Sequence, residues 1–225
     1  MSAAFELIVF DWDGTLADST GPIVAGMQRA IAALGLPPRD DDAIRALIGL
    51  GFRDGLQLLY PDRDPARLEA ELLAHRRGVV DGTHEEAPLY PGVPELLTAL
   101  GQGGYRLAVA TGKSRVGLDR ALMHHRFADA AFIATRTADE TAAKPHPRML
   151  HELLEHTGVA PERALMVGDT DYDMVMAEAA GVPAIAVDGG AHSADRLRAS
   201  PALTVLASIV ELPGWLAAST HRRGA

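Results

Sequence analysis

The sequence predicts an α/β fold with a doubly wound parallel sheet and a helical segment inserted after the first strand. Short apolar runs recur between helical stretches, which is typical of parallel strands whose two faces are both covered. From about residue 19 to residue 87 this alternation stops, and only helical patterns and turn residues follow. We therefore predict a core of residues 1–18 and 88–225, with residues 19–87 as an inserted helical domain.

Five apolar runs are predicted as strands, at residues 6–10, 106–110, 131–135, 164–167 and 184–187. The segment LTVLASIVELPGWLAAS predicts a last short strand and a helix that complete the core. Within the insert, the first helix should begin at Ser19 or Thr20 and end at Gly35, shortly before Pro37 and Pro38. Further helical patterns cover residues 41–48, 53–59 and 65–79.

Composition excludes several classes of protein. The chain has 225 residues and no cysteine, so disulfides and thiolate metal sites are excluded. A net charge of −9 disfavours a nucleic-acid partner. The N-terminal apolar run is too short for a signal peptide or a membrane span, so we predict a cytoplasmic protein with no membrane partner. The sequence does not specify an oligomeric state.

Two acids, Asp11 and Asp13, follow the first predicted strand directly. One aspartate after a strand is commonly a turn residue, but other polar side chains also follow predicted strands: Thr111, Lys144, Asp169 and Asp173. Because ligands of parallel α/β sheets bind at the carboxyl ends of the strands, we expect these groups to surround one site.

Lysine is rare in this chain, which has nineteen arginines and only two lysines, Lys113 and Lys144. A compact ammonium group fits a narrow site where a planar guanidinium would be too bulky. Lys144 is therefore predicted as a functional cation. For Lys113, a surface position and a supporting role are equally compatible with the sequence.

The motifs DWDGT at residues 11–15, Thr111, Lys144 and Gly168-Asp169 with Asp173 occur in an order that resembles the haloacid dehalogenase-like phosphohydrolases. The resemblance covers nearly the whole chain. It implies a Rossmann-like core, an α-helical cap inserted after the first motif, a Mg²⁺ ion and an aspartyl-phosphate intermediate.

The resemblance also implies a role for each residue. Asp11 would be the nucleophile and Asp13 the general acid and base. The metal ligands would be Asp11, the backbone carbonyl of Asp13, and Asp169, with Asp173 orienting a ligand or a bound water. The phosphate would be held by the remaining residues, namely Thr15, Thr111, Gly112 and Lys144.

Few residues of the sequence indicate the substrate. The loop of residues 49–53 is the candidate specificity loop of the cap, with Arg53 placed to meet an anionic leaving group. The chain resembles the phosphoglycolate phosphatase branch most, which implies a small phosphorylated metabolite. Other sugar phosphates, nucleotides, a phosphomutase, a pyrophosphatase and a non-enzymatic phospho-accepting module remain alternatives.

Overall fold

The computed structural model describes residues 5–79, 86–126 and 131–222, and it shows one parallel sheet at the centre of the core. The six strands lie in the order β3-β2-β1-β4-β5-β6. Their bounds are Leu7–Phe10, Arg106–Thr111, Ala134–Thr137, Ala164–Gly168, Ala184–Val187 and Val205–Leu206, numbered β1 to β6 along the chain. The first strand therefore lies at the centre, between β2 and β4, and the predicted doubly wound parallel sheet is confirmed.

The third strand differs from its prediction. It was expected at residues 131–135 but lies at Ala134–Thr137, where it pairs with the end of β2 from Ala108 to Thr111. It is an edge strand whose extent is set by pairing with β2 rather than by burial of its own side chains, so the apolar residues just before it misled the sequence prediction.

Both faces of the sheet are covered, because residues of β1 alternate between two core clusters. Ile8 and Phe10 point into one cluster, and Leu7 and Val9 into the other. The first cluster is closed by α5 (Val93–Gln102), α6 (Arg115–His124) and α10 (Leu212–Arg222). The second is closed by α7 (Arg148–Thr157), α8 (Asp171–Ala179) and α9 (Ala194–Arg198).

Within the described residues, four helices form the helical insert, which leaves the sheet after β1. They are α1 (Thr20–Ala33), α2 (Asp41–Arg45), α3 (Phe52–Leu59) and α4 (Pro65–Val79). Their apolar faces make a third buried cluster that includes Val24, Ile31, Leu56 and Leu68. The predicted helix at residues 41–48 ends at Arg45. The Ala46 carbonyl, just beyond it, accepts hydrogen bonds from the core, from the Tyr172 hydroxyl at 2.9 Å and from the His192 ring at 3.2 Å.

Two adjacent chain segments connect the insert to the core. Ala17 and Leu89 form an antiparallel bridge, and the Asp18 amide donates to the Pro88 carbonyl at 2.8 Å. On the core side, the Tyr90 amide donates to the Leu16 carbonyl at 2.9 Å. The chain thus enters and leaves the insert at one narrow place.

The loop between α2 and α3 lies directly on the core. A Cβ atom added at Gly112, after β2, would come within 2.7 Å of the carbonyl oxygens of Gly49 and Leu50. A Cβ added at Gly51 would lie 2.7 Å from the Cβ of Ala143. Glycine at these positions is therefore what allows the insert to approach the core so closely. None of the described helices is long and apolar enough to cross a membrane.

We expect Gly51→Ala to push the loop of residues 49–51 away from the core, because the new methyl group would overlap Ala143. Hydrogen exchange should rise by at least about threefold at residues 46–51 and 138–146. Gly101→Ala is the matched control, because an added Cβ there meets nothing within 4 Å and alanine favours the helix. Unchanged exchange in Gly51→Ala would show that this contact does not position the insert.

Candidate active site

The two acids after β1 lie at the carboxyl edge of the sheet, with the residue between them turned away. Trp12 is buried in a core cluster, against the rings of His125 and Phe132. Gly14 follows with a φ of 79°, a left-handed conformation that glycine adopts without strain. This bend is the departure from strand geometry that two neighbouring acids need to face one site.

Lys144 lies at the centre of the cluster and is fully buried. Its Nζ is 2.8 Å from Asp11 Oδ1 and 2.7 Å from Asp173 Oδ1. Burial alone would lower the pKa of Lys144, but the two carboxylates outweigh burial and raise it. Burial also raises the pKa of Asp11 well above its ordinary value, against the opposing effect of the Lys144 ammonium. Lys144 therefore remains a cation and offsets the charge of two buried acids.

Asp169 and Asp173, at the end of β4 and in the first turn of α8, complete the acidic group. Asp169 accepts hydrogen bonds from the Thr15 hydroxyl at 2.6 Å and from the Ala191 amide at 2.7 Å. Asp173 forms a capping box with Thr170 at the start of α8. Burial and the neighbouring Asp173 raise the pKa of Asp169 to about 7, although its hydrogen bonds oppose this rise.

Three glycines leave the space that these carboxylates occupy. A Cβ at Gly14 or Gly190 would come within 2.2 or 2.3 Å of Asp169 Oδ2, and one at Gly168 within 2.3 Å of the Asp173 carboxyl. The backbone therefore closes around both acids, and their positions are fixed by packing as well as by hydrogen bonds.

Asp13 faces a different environment from Asp11. Its carboxylate accepts from Lys113 Nζ at 2.8 and 3.1 Å and from the Ser19 hydroxyl at 2.7 Å. Ser19 precedes helix α1 of the insert, yet its side chain makes no helix-capping hydrogen bond. Asp13 is thus held by one residue from the core and one from the connection to the insert.

Thr111 ends β2, and Gly112 follows it. Thr111 is buried, and its Oγ1 accepts from the Lys113 amide at 3.2 Å. Gly112 lies beneath the carbonyls of Gly49 and Leu50. Strand β2 pairs with β1 in register up to Val109 and Phe10, so its end and Asp11 share one edge of the sheet.

Comparisons with known proteins agree with this geometry. The family model described as haloacid dehalogenase-like hydrolase matches residues 8–187. A protein of Dickeya dadantii named probable phosphatase IndB is 34% identical over 212 residues, which cover 92% of each chain. A phosphoglycolate phosphatase of Agrobacterium fabrum is 34% identical over 193 residues, covering 82% of this chain and 81% of the relative.

The chain belongs to the haloacid dehalogenase-like hydrolase family. The crystal structure of a predicted phosphatase from Clostridium acetobutylicum superposes with a TM-score of 0.83 and covers 96% of this chain and 100% of its own. At 23% identity that likeness shows a shared fold.

In this haloacid dehalogenase-like chain, three carboxylates fit a divalent cation. Among the described residues, Asp11, Asp169 and Asp173 each offer an oxygen within 4.8 Å of the others. Asp11 Oδ2 is buried and has no hydrogen-bond partner in the part of the chain that the structure describes. Buried polar atoms are rarely left unpaired, and hard carboxylate oxygens suit Mg²⁺. The Asp13 carboxylate instead faces Lys113 and Ser19, so a metal contact from Asp13 would come from its backbone carbonyl.

Two predicted substrate-binding residues have other partners in the structure. The Thr15 hydroxyl donates a hydrogen bond to Asp169 and orients that carboxylate. Arg53 lies in the first turn of α3, exposed, and its guanidinium binds Glu69 of α4 at 2.6 and 2.7 Å. The structure therefore gathers Asp11, Asp13, Lys144, Asp169 and Asp173 into one site and places Arg53 in an ion pair within the insert.

Sequence reasoning missed two kinds of residue. Ser19 was assigned only to a helix start, because serine is common at that position whether or not it caps the helix. Gly190 and Ala191, which enclose Asp169, follow β5 in a loop about twenty residues further along the chain. Their one signal was the position after a predicted strand, the same signal that identified Asp11 and Thr111.

We expect Lys144→Met to lower the free energy of unfolding by about 3–5 kcal/mol at pH 8, because two buried carboxylates lose their counter-charge. The loss should be smaller at pH 5. The pKa of Asp11 is already raised by burial, and without Lys144 protonation of Asp11 relieves part of the cost as the pH falls.

Urea unfolding at both pH values measures this effect. Arg198→Met is the control, since it removes an exposed ion pair with Asp195 and should cost less than about 1 kcal/mol at either pH. Equal losses in the two variants would contradict a stabilising role for the buried Lys144 ion pairs.

Proposed function

We propose that this chain is a magnesium-dependent phosphatase that hydrolyses a small phosphate monoester, of the phosphoglycolate type, through an aspartyl-phosphate on Asp11. One observation carries the proposal: the unpartnered Asp11 Oδ2 lies in a carboxylate whose other oxygen is paired with the buried ammonium of Lys144. That arrangement leaves one carboxylate oxygen available to attack while a cation is fixed beside it.

The chain's own residues can carry both halves of the reaction. Asp11 attacks the phosphorus, the bond to the leaving-group oxygen breaks, and Asp13 supplies the proton that this oxygen takes up. In the second half, Asp13 takes a proton from water, whose oxygen attacks the phosphorus, so that inorganic phosphate leaves and Asp11 is restored. Thr111, the Gly112 amide and Lys144 hold the phosphate oxygens.

Mg²⁺ would be held by Asp11, Asp169 and Asp173, with the backbone carbonyl of Asp13. When bound, the ion supplies positive charge that reduces the repulsion between Asp11 and the phosphate dianion. The helical insert serves as a cap, whose loop at residues 49–51 excludes water from the site. We place the enzyme in the cytoplasm, acting on a small phosphorylated metabolite.

The relatives' names favour a phosphatase over the alternatives, and so does Asp13. A phospho-accepting module needs no second acid beside the nucleophile, whereas Asp13 is positioned by two hydrogen-bond donors. A phosphomutase would return the phosphoryl group to a sugar and would need a bisphosphate activator. Release of inorganic phosphate without that activator separates a phosphatase from a mutase, and a parallel assay with pyrophosphate tests the remaining alternative.

We expect Asp11→Asn to abolish phosphate release from a panel of small monoesters, because an amide cannot form the acyl phosphate. Asp188→Asn is the matched control: Asp188 also follows a strand, β5, but its carboxylate binds the Gly189 amide at 2.8 Å. That variant should keep activity within about twofold of the wild type. Turnover in Asp11→Asn comparable to that of the wild type would refute the covalent mechanism.

We expect Mg²⁺ to bind more tightly as the pH rises toward 7 and to release protons on binding. The raised pKa values of Asp11 and Asp169, the latter about 7, mean that the metal must displace protons below that pH. Calorimetry in two buffers of different ionisation enthalpy measures the proton release.

Asp169→Asn should bind Mg²⁺ weakly and release fewer protons. The raised pKa of Asp169 also predicts that the free energy of unfolding of the metal-free wild type falls as the pH rises from about 4 to 7. The reason is that the folded protein holds the Asp169 proton more tightly than the unfolded chain does. A pH-independent Mg²⁺ affinity across this range would contradict the assignment.

A further inference from the structure

Lys113 is the second lysine of the chain, and the structure places it at the rim of the site. Its side chain is 19% exposed, and that of its partner Asp13 is 12% exposed. The Lys144 and Asp11 side chains beneath them are at most 1% exposed. The Lys113–Asp13 pair therefore borders the accessible side of the site, while Lys144 is enclosed.

The contact with Asp13 fixes where the Lys113 ammonium lies relative to the substrate. In the proposed reaction, Asp13 must come within about 2.6–3.2 Å of the leaving-group oxygen to transfer its proton. Lys113 Nζ lies 2.8 and 3.1 Å from the two oxygens of that same carboxylate. The ammonium is therefore a close neighbour of the atoms that follow the ester oxygen, and its flexible stem can turn it toward them.

Like Lys113, the two other cations predicted for the site are paired, but Lys144 is enclosed and Arg53 is bound within the insert. Lys144 is held between Asp11 and Asp173, and Arg53 is bound to Glu69. The insert loop turns the carbonyls of Gly49 and Leu50, which are hydrogen-bond acceptors, toward Gly112. An anionic group on the leaving group would meet no positive charge from these carbonyls, whereas it would meet one at Lys113.

We propose that Lys113 is a specificity residue. It binds Asp13 in the substrate-free protein and turns its ammonium to a carboxylate one or two carbon atoms from the ester oxygen when substrate binds. The inference rests on the proposed phosphatase function and assigns to Lys113 the recognition that the sequence had suggested for Arg53. Because loop residues 49–51 lie so close to the core, we expect the leaving group to be small.

Two esters of similar size test the proposal: phosphoglycolate, whose leaving group carries a carboxylate, and 2-hydroxyethyl phosphate, whose leaving group is neutral. The measured quantity is the ratio of their kcat/KM values. The wild type should favour phosphoglycolate. Lys113→Met should lower the ratio by at least about tenfold, because a charge-assisted hydrogen bond is lost, and Lys113→Arg should regain part of it.

Inhibition by glycolate gives a readout that does not depend on turnover of either ester. Glycolate should compete less well against p-nitrophenyl phosphate in Lys113→Met, again by at least about tenfold. Arg67→Met is the control, because it removes an exposed cation of the insert that is paired with Glu71. In this variant, both the kcat/KM ratio of the two esters and the inhibition by glycolate should stay at the wild-type value. Arg53→Met tests the competing assignment directly.

The outcomes separate this inference from the proposed function. If the wild type releases phosphate from none of the three esters, the phosphatase proposal fails and this inference with it. If it cleaves p-nitrophenyl phosphate but does not favour phosphoglycolate over the neutral ester, Lys113 does not read an anion, although the enzyme is a phosphatase. If Lys113→Met lowers kcat/KM equally for both esters, Lys113 only supports Asp13. If the ratio of kcat/KM values falls in Arg53→Met and not in Lys113→Met, Arg53 is the residue that recognises the carboxylate.

Discussion

The buried ammonium of Lys144 is the charge on which the rest of the site depends. Asp11, Asp169 and Asp173 lie close together beneath the surface, where the loss of water and the neighbouring carboxylates raise the pKa values of Asp11 and Asp169. Lys144 contacts two of them at 2.7 and 2.8 Å, and donors from Thr15 and Ala191 satisfy the third. Because the ammonium is compact, it fits between two carboxylates at these distances, which explains a lysine at this position in a chain of nineteen arginines and two lysines.

Two acids only two residues apart acquire different chemistry from their surroundings. Asp11 is enclosed, paired with a buried cation, and keeps one oxygen free of hydrogen bonds within the described residues. Asp13 lies at the rim, where it accepts hydrogen bonds from a serine hydroxyl and a lysine ammonium. The first environment suits a fixed nucleophile. The second suits a group that must meet a leaving group and then water.

The sequence was sufficient to predict the central strands and the acids that follow them. It was insufficient to predict the edge strand, the end of α2 and the contacts at the rim of the site. Central strands such as β1 and β4 were predicted closely because apolar runs mark them on both faces, and the acids after them share a sheet edge by topology. The β3 strand was misplaced because pairing, not burial, sets an edge strand, and α2 ended early where core donors bind the Ala46 carbonyl. The Lys113–Asp13 contact joins residues one hundred positions apart, and no local pattern distinguishes a lysine that reaches an acid from one that reaches solvent.

The core and the insert contribute different groups to the surroundings of the site. The cations that contact Asp11 and Asp13, the proposed catalytic acids, both come from core loops; they are Lys144 and Lys113. At the glycine contacts, the loop of the insert brings backbone carbonyls and a close steric fit, and its Arg53 is bound to Glu69. In the proposed enzyme, charge recognition and chemistry would therefore lie in the core, while the insert would limit the size of the leaving group and exclude water. Changes in the insert loop should consequently alter which shapes fit, whereas a change in the charge that is preferred requires a substitution in the core.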